Sequence, residues 1–151
     1  MKQIKLFTIG FTKKSARTFF TKLCASGVTR VIDIRLHNTS QLAGFAKQDD
    51  LAYFLKAICD IEYLHMPEFA PSQAIMDAFK KNKGEWSDYE RDFLALMGKR
   101  QTENKLAPDF FDHACLLCSE EKPDHCHRLL VARYLKNKWH NINIIHIMEK
   151  K

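Results

Sequence analysis

Glycine and proline are scarce in this chain, five and four of 151 residues, which excludes collagen-like and low-complexity organisation. No apolar run approaches the roughly 18 residues that a membrane-crossing helix requires. Residues Met1-Lys2-Gln3-Ile4-Lys5 lack the apolar core and cleavage site of a secretory leader. Walker-type loops, Gly-x-Gly-x-x-Gly, Gly-x-Ser-x-Gly and His-Glu-x-x-His are all missing, which argues against the common nucleotide-binding, hydrolase and zincin classes. The cysteines (Cys24, Cys59, Cys115, Cys118 and Cys126) are odd in number, and two sit inside helical apolar patterns. A secreted disulfide framework looks different, so the expectation is reduced thiols in a cytoplasmic protein.

What is present suits a packed domain. Hydrophobic residues make up 46% and charged residues 28% of a 17.6 kDa chain, enough for one core and one α/β domain over residues 1–151. The net charge of +6 is unevenly spread: residues 1–48 hold nine Lys or Arg and one acid, Asp33, a net +8, and the remainder is net −2. A basic half of that kind attracts phosphates or nucleic acid.

Apolar runs alternate with helical periodicity. Strands are expected at Lys5 to Ile9, Thr29 to Ile34, Ile61 to His65, Ala114 to Cys118 and Asn143 to Ile147. Helices are expected from Ser15 to Ala25 with Gly27 beyond its end, from Asp49 to Cys59, from a Ser72 cap through Phe79, after a Ser87-Asp88-Tyr89-Glu90 capping box, and from an Asp124 cap to Lys138. The pattern predicts a three-layer α/β fold of Rossmann or flavodoxin type, with a mostly parallel sheet of about five strands flanked by helices.

In such a sheet ligands sit beyond the carboxyl ends of the strands, and the polar residues gather there. Gly10 follows the first strand, Asp33 and Arg35 end the second, His65 the third, and Cys118-Ser119-Glu120 the fourth, whose helix opens with His125-Cys126-His127-Arg128. A helix start attracts anions and lowers a nearby thiol's pKa, and arginine offers a bidentate fork. Candidate catalytic residues are therefore Cys118, Glu120, Cys126 and Asp33; candidate ligand-binding residues are Arg128, Arg35, Gly10 and His127. Cys115 and Cys118 lie three apart on one strand, point to opposite faces and cannot share an ion. Cys118 and Cys126 with His125 or His127 remain as possible ligands, but no metal and no cofactor is expected. His65 and His146 read as satisfied core or rim histidines, and Trp86, Tyr89 and Phe93 as a packing face.

Thr8-Ile9-Gly10, Val31-Ile32-Asp33-Ile34-Arg35, Ser40 with Phe45, Tyr63, Leu117-Cys118-Ser119-Glu120, Cys126-His127-Arg128 and the closing His146-Ile147 resemble the family known as domain of unknown function 488. The resemblance runs almost end to end, and its late Cys-x-Glu…Cys-His-Arg element is the specific part. Where the family commonly reads Thr-Ile-Gly-His-Ser this chain has Phe11-Thr12, and where others have Leu-Gly-Gly it has Phe69-Ala70-Pro71. The resemblance implies a single α/β domain and supplies no activity, although a DNA-repair label on some members points toward nucleic acid. A fainter analogy links the Ile-Asp-x-Arg strand and the strand-end cysteine to rhodanese and thiol-phosphatase domains, but Arg128 lies ten positions after Cys118 rather than about six.

The expected function is a site for an anionic, phosphate- or nucleotide-like ligand, acting as a thiol-dependent transferase or hydrolase if it is an enzyme. The alternative is a non-catalytic nucleic-acid-binding module that uses Lys13, Lys14, Arg17 and Lys22. No membrane partner is expected.

Overall fold

A computed structural model of the chain describes residues 2–38, 44–120 and 126–148. The expectations at Ser40, Gln41, Asp124 and His125 lie outside the described residues. Five strands, β1 (Ile4–Gly10), β2 (Arg30–Asp33), β3 (Glu62–His65), β4 (Ala114–Cys118) and β5 (Ile142–Ile147), form one parallel sheet in the order β3-β2-β4-β1-β5. None of the helices is long and apolar enough to cross a membrane, among the described residues.

Strand alternation sends two sets of side chains to two cores. Phe7, Ile9, Val31, Cys115 and Leu117 pack against Phe19, Phe20 and Leu23 of α1 (Ala16–Ser26) and Leu51 of α2 (Gln48–Phe54). Ile4, Leu6, Ile32, Ala114 and Leu116 pack on the opposite face, against Phe93 and Met97 of α4 (Trp86–Arg100) and Leu130, Val131 and Leu135 of α5 (His127–Lys138). The short α3 (Gln73–Lys80) packs beside α4.

This layering positions the site. The connections leaving β1 and β2 run over the α1/α2 face, whereas the connection leaving β4, which lies between those strands, runs over the α5 face. Both neighbours of β4 therefore diverge from it, and the crevice that such divergence opens sits at the carboxyl end of β4, at Cys118.

Local chemistry explains most boundaries. Ser15 caps α1 through the Thr18 amide and Ser72 caps α3 through the Ile75 amide. Gly27 ends α1 at φ 88°, a conformation glycine adopts without a side-chain penalty. Two expectations need correction. The Ser87 capping box is not used: the N-cap is Glu85, two residues earlier, and α4 begins at Trp86, whose ring stacks on Tyr89 one turn on at 4.9 Å. The helix expected to reach Cys59 is α-helical only to Phe54 and continues as a π-helical turn, Leu55–Cys59, ending at left-handed Asp60.

That turn faces α1, and Cys59 is disulfide-bonded to Cys24 with the Cα atoms 5.1 Å apart. The expectation of uniformly reduced thiols is thus corrected for this pair, while Cys115, Cys118 and Cys126 are free. Both cysteines lay in apolar helical patterns, and only the packing of one element on the other reveals them as partners. The bridge closes a loop of 35 residues, so Cys24→Ser should lower the unfolding free energy by about 2–4 kcal/mol in urea without reductant. An unchanged midpoint would show that the bridge contributes nothing.

Candidate functional site

Cys118 ends β4 on the α5 side of the sheet, since it shares strand parity with Ala114 and Leu116, whereas Cys115 belongs to the α1 face. Its Sγ lies 3.2 Å from Nδ1 of His127, the first residue of α5. The other ring nitrogen, Nε2, lies 2.6 Å from the Ile34 carbonyl oxygen. A carbonyl only accepts, so Nε2 carries a proton and Nδ1 is turned to Cys118. Phe93 meets the imidazole edge-on at 5.8 Å and holds its plane.

Cys126 completes the cluster: one donor atom each from Cys118, Cys126 and His127 lie within 4.8 Å of one another, all buried. Such a set can hold a soft divalent cation with three protein ligands and an open fourth position, and Ile34 would then orient the imidazole from outside. Burial alone raises the Cys118 pKa, but the Cys126 thiol, the Ser119 and Glu120 amides and the Arg128 charge outweigh it, and the net shift is downward. The Cys126 pKa moves the other way, pushed up by its bond to Cys118 and by burial. The two sulfurs are thus driven in opposite directions, Cys118 toward the thiolate and Cys126 toward the thiol.

Cys118, Ser119, Glu120, Cys126, His127 and Arg35 form the polar side of a cleft of ≈ 130 Å³. Pro71, Met76, Phe79, Trp86 and Tyr89 form its apolar wall, with His37 and Lys80 also lining it. A larger groove of ≈ 600 Å³ between α1 and the π-helical turn is lined by Phe20, Phe45, Phe54 and Ile58 and has Arg17 as its lone charged side chain. It lacks nucleophile and acid–base pairs, so the smaller cleft is the candidate site.

The remaining predicted residues converge here but do not open into the cleft. Arg128 is fully buried; its Nε donates to Thr8 Oγ1 at 3.3 Å, and its Nη1 donates to the Glu120 carbonyl and approaches Cys126 Sγ at 3.8 Å. It holds the backbone at Glu120 and adds positive charge behind the two sulfurs. Gly10 pairs in register with Cys118, and a Cβ on it would overlap the Glu120 carbonyl and come within 2.8 Å of Arg128 Nη1. Its role is to leave that space. The Ser119 carbonyl is gripped by the Phe11 and Thr12 amides and by Thr12 Oγ1 at 3.2, 2.9 and 2.5 Å.

Asp33 is fully buried and occupied. It accepts from Arg35 Nε and Nη2 at 2.9 and 2.8 Å, from the Arg35 amide at 3.1 Å and from Tyr63 Oη at 2.5 Å. It is a clamp for Arg35, whose Nη2 also donates to the Ala46 carbonyl at 2.7 Å, while Nη1 has no hydrogen-bond partner among the described residues. Burial raises the Tyr63 pKa, and the Asp33 charge adds to it. His65 and His146 are tied to the Arg35 carbonyl (2.8 Å) and Thr8 Oγ1 (2.6 Å), as rim histidines were expected to be.

Sequence reasoning listed His127 as a ligand-binding residue and missed its pairing with Cys118. It read Trp86 as packing, and Trp86 does pack against the core beside Phe79 and Tyr89, but its half-buried ring also forms part of the cleft wall, which that reading did not include. The Trp86-x-x-Tyr89 spacing carried that signal, but core helices use the same spacing.

A family model described as "Domain of unknown function DUF488" matches residues 15–135. Comparison with curated proteins and with solved structures returned no match.

The downward shift at Cys118 has a readable sign. Its alkylation by iodoacetamide should rise with pH with a midpoint below the free-thiol value of about 8.5. Cys126→Ala should move that midpoint upward, because it removes the thiol that favours the thiolate most. A wild-type midpoint above 8.5, or no effect of Cys126→Ala, contradicts this electrostatic picture.

Proposed function

Because the chain belongs to the DUF488 family, a domain of unknown function, its chemistry has to be argued from the cleft, and we propose that the cleft takes a small anionic ligand, phosphate-like, which Cys118 attacks as a thiolate. The observation that carries this reading is the 3.2 Å contact between Cys118 Sγ and His127 Nδ1 in a cleft that Arg35 also lines. Nucleophile, base and orienting carbonyl stand in series, the arrangement by which an adjacent base activates a thiol.

Each group then has a task. Arg35, held by Asp33, offers Nη1 to the anion. Cys118 Sγ forms a bond to the electrophilic atom, and the leaving group takes the proton held by the Cys118–His127 pair. Water or an acceptor then displaces Cys118, returning that proton. Glu120, exposed on the rim, orients the attacking water. Arg128 favours the thiolate from behind the wall. The volume of the cleft is near that of the roughly 150 Å³ cavity that holds a benzene ring, so a phosphate group fits within it and a dinucleotide does not.

The nucleic-acid alternative finds less support. Lys14 is buried, Lys22 donates to the Met148 carbonyl, Arg17 lines the larger groove, and none of these lines the cleft.

The test pairs binding with turnover, using inorganic phosphate and p-nitrophenyl phosphate as probes. Phosphate should raise the wild-type melting temperature, and Arg35→Lys should weaken that binding by roughly tenfold or more. Cys118→Ser should bind but lose at least roughly 100-fold in turnover. No phosphate binding, or equal turnover in wild type and Cys118→Ser, overturns the reading. Suppression of alkylation at both Cys118 and Cys126 by stoichiometric Zn²⁺ in the protein as isolated would do so too, by placing a metal where the nucleophile must be free.

A further inference from the structure

One nucleophile needs one thiol, and the cleft contains two. Cys126 is the N-cap of α5, yet its side chain makes no capping hydrogen bond, so helix formation does not account for it. Its sulfur lies within 4.8 Å of Cys118 Sγ, on the same cleft and beside the same imidazole. The third free cysteine, Cys115, is on the opposite face of β4 within the core. The observations single out one pair.

We propose that Cys118 and Cys126 are a peroxide-reducing dithiol that closes to a Cys118–Cys126 disulfide. This does not rest on the anionic-ligand reading, since its oxidising substrate is a hydroperoxide small enough for the cleft.

In the first step the Cys118 thiolate attacks a peroxide oxygen. An S–O bond forms, the O–O bond breaks, and the departing alkoxide or hydroxide takes the proton held by the Cys118–His127 pair. The sulfur loses two electrons and the peroxide gains them. Cys126 then passes its proton through His127 and attacks the Cys118 sulfur. The S–S bond forms, the S–O bond breaks, and the oxygen leaves as water with that proton. A dithiol reductant restores both thiols by exchange.

The experiment treats the full chain with one equivalent of hydrogen peroxide, blocks free thiols, and maps peptides without reductant, which separates the new link from the Cys24–Cys59 bridge. The wild type should yield linked Cys118 and Cys126 peptides, with Cys115 alkylated. Cys126→Ser and Cys126→Ala should yield no link and a dimedone adduct on Cys118. With excess dithiothreitol, peroxide consumption by Cys118→Ser should fall roughly tenfold or more below wild type. An unoxidised Cys118, a Cys118 carried directly to sulfinic acid while Cys126 is present, or a link through Cys115 overturns the proposal. Phosphate binding retained in that event would leave the preceding reading standing, and the converse holds equally.

Discussion

The contact on which the cleft depends is the 2.6 Å hydrogen bond from His127 Nε2 to the Ile34 carbonyl. It joins the first residue of α5 to the residue just past β2, two segments 93 positions apart. By accepting from Nε2–H, the carbonyl fixes the proton on Nε2 and leaves Nδ1 for Cys118, so a bond between a ring and a backbone atom sets the partner of a sulfur on a third element. Without it the imidazole could turn, and Cys118 would be one more buried thiol at a strand end.

The topology makes that bond possible. β4 lies between β2 and β1, so its tip is the one place where a residue can touch the ends of both neighbours and the start of α5. Ile34 donates its amide to the Leu117 carbonyl at 3.1 Å, and Gly10 sits beside Cys118. Two buried arginines then stabilise the rim by different means. Arg35 is paired with a carboxylate that answers its charge, which limits the desolvation cost of burial. Arg128 donates to the Thr8 hydroxyl and the Glu120 carbonyl, and its charge draws Cys118 toward the thiolate.

The fold was legible because local and global signals agree: β-branched apolar runs alternate with capped amphipathic helices, and Ala114 to Cys118 is a strand with the expected bounds. The site was legible as a neighbourhood. Strand parity correctly separated Cys115 from Cys118, and the Cys126-His127-Arg128 run fell at the helix start. What sequence spacing does not encode is partner choice. Asp33 and Arg35 two apart look the same whether the carboxylate is a base or a clamp, and Tyr63, which helps settle the matter, comes from another strand. Likewise Arg128 and Arg35 were both expected to reach a ligand, and spacing does not show that the long Arg128 side chain runs inward to Thr8. The Cys24–Cys59 bridge depends on how α1 meets a π-helical turn that helix periodicity does not foresee.

The protonation of the His127 ring tests this account most directly. Nitrogen-15 spectra of the imidazole should show Nε2 carrying its proton throughout, with the Nδ1 resonance changing when Cys118 is replaced by serine. A ring protonated at Nδ1 alone, or an Nδ1 signal indifferent to that replacement, would contradict the pairing from which the chemistry of the cleft is built.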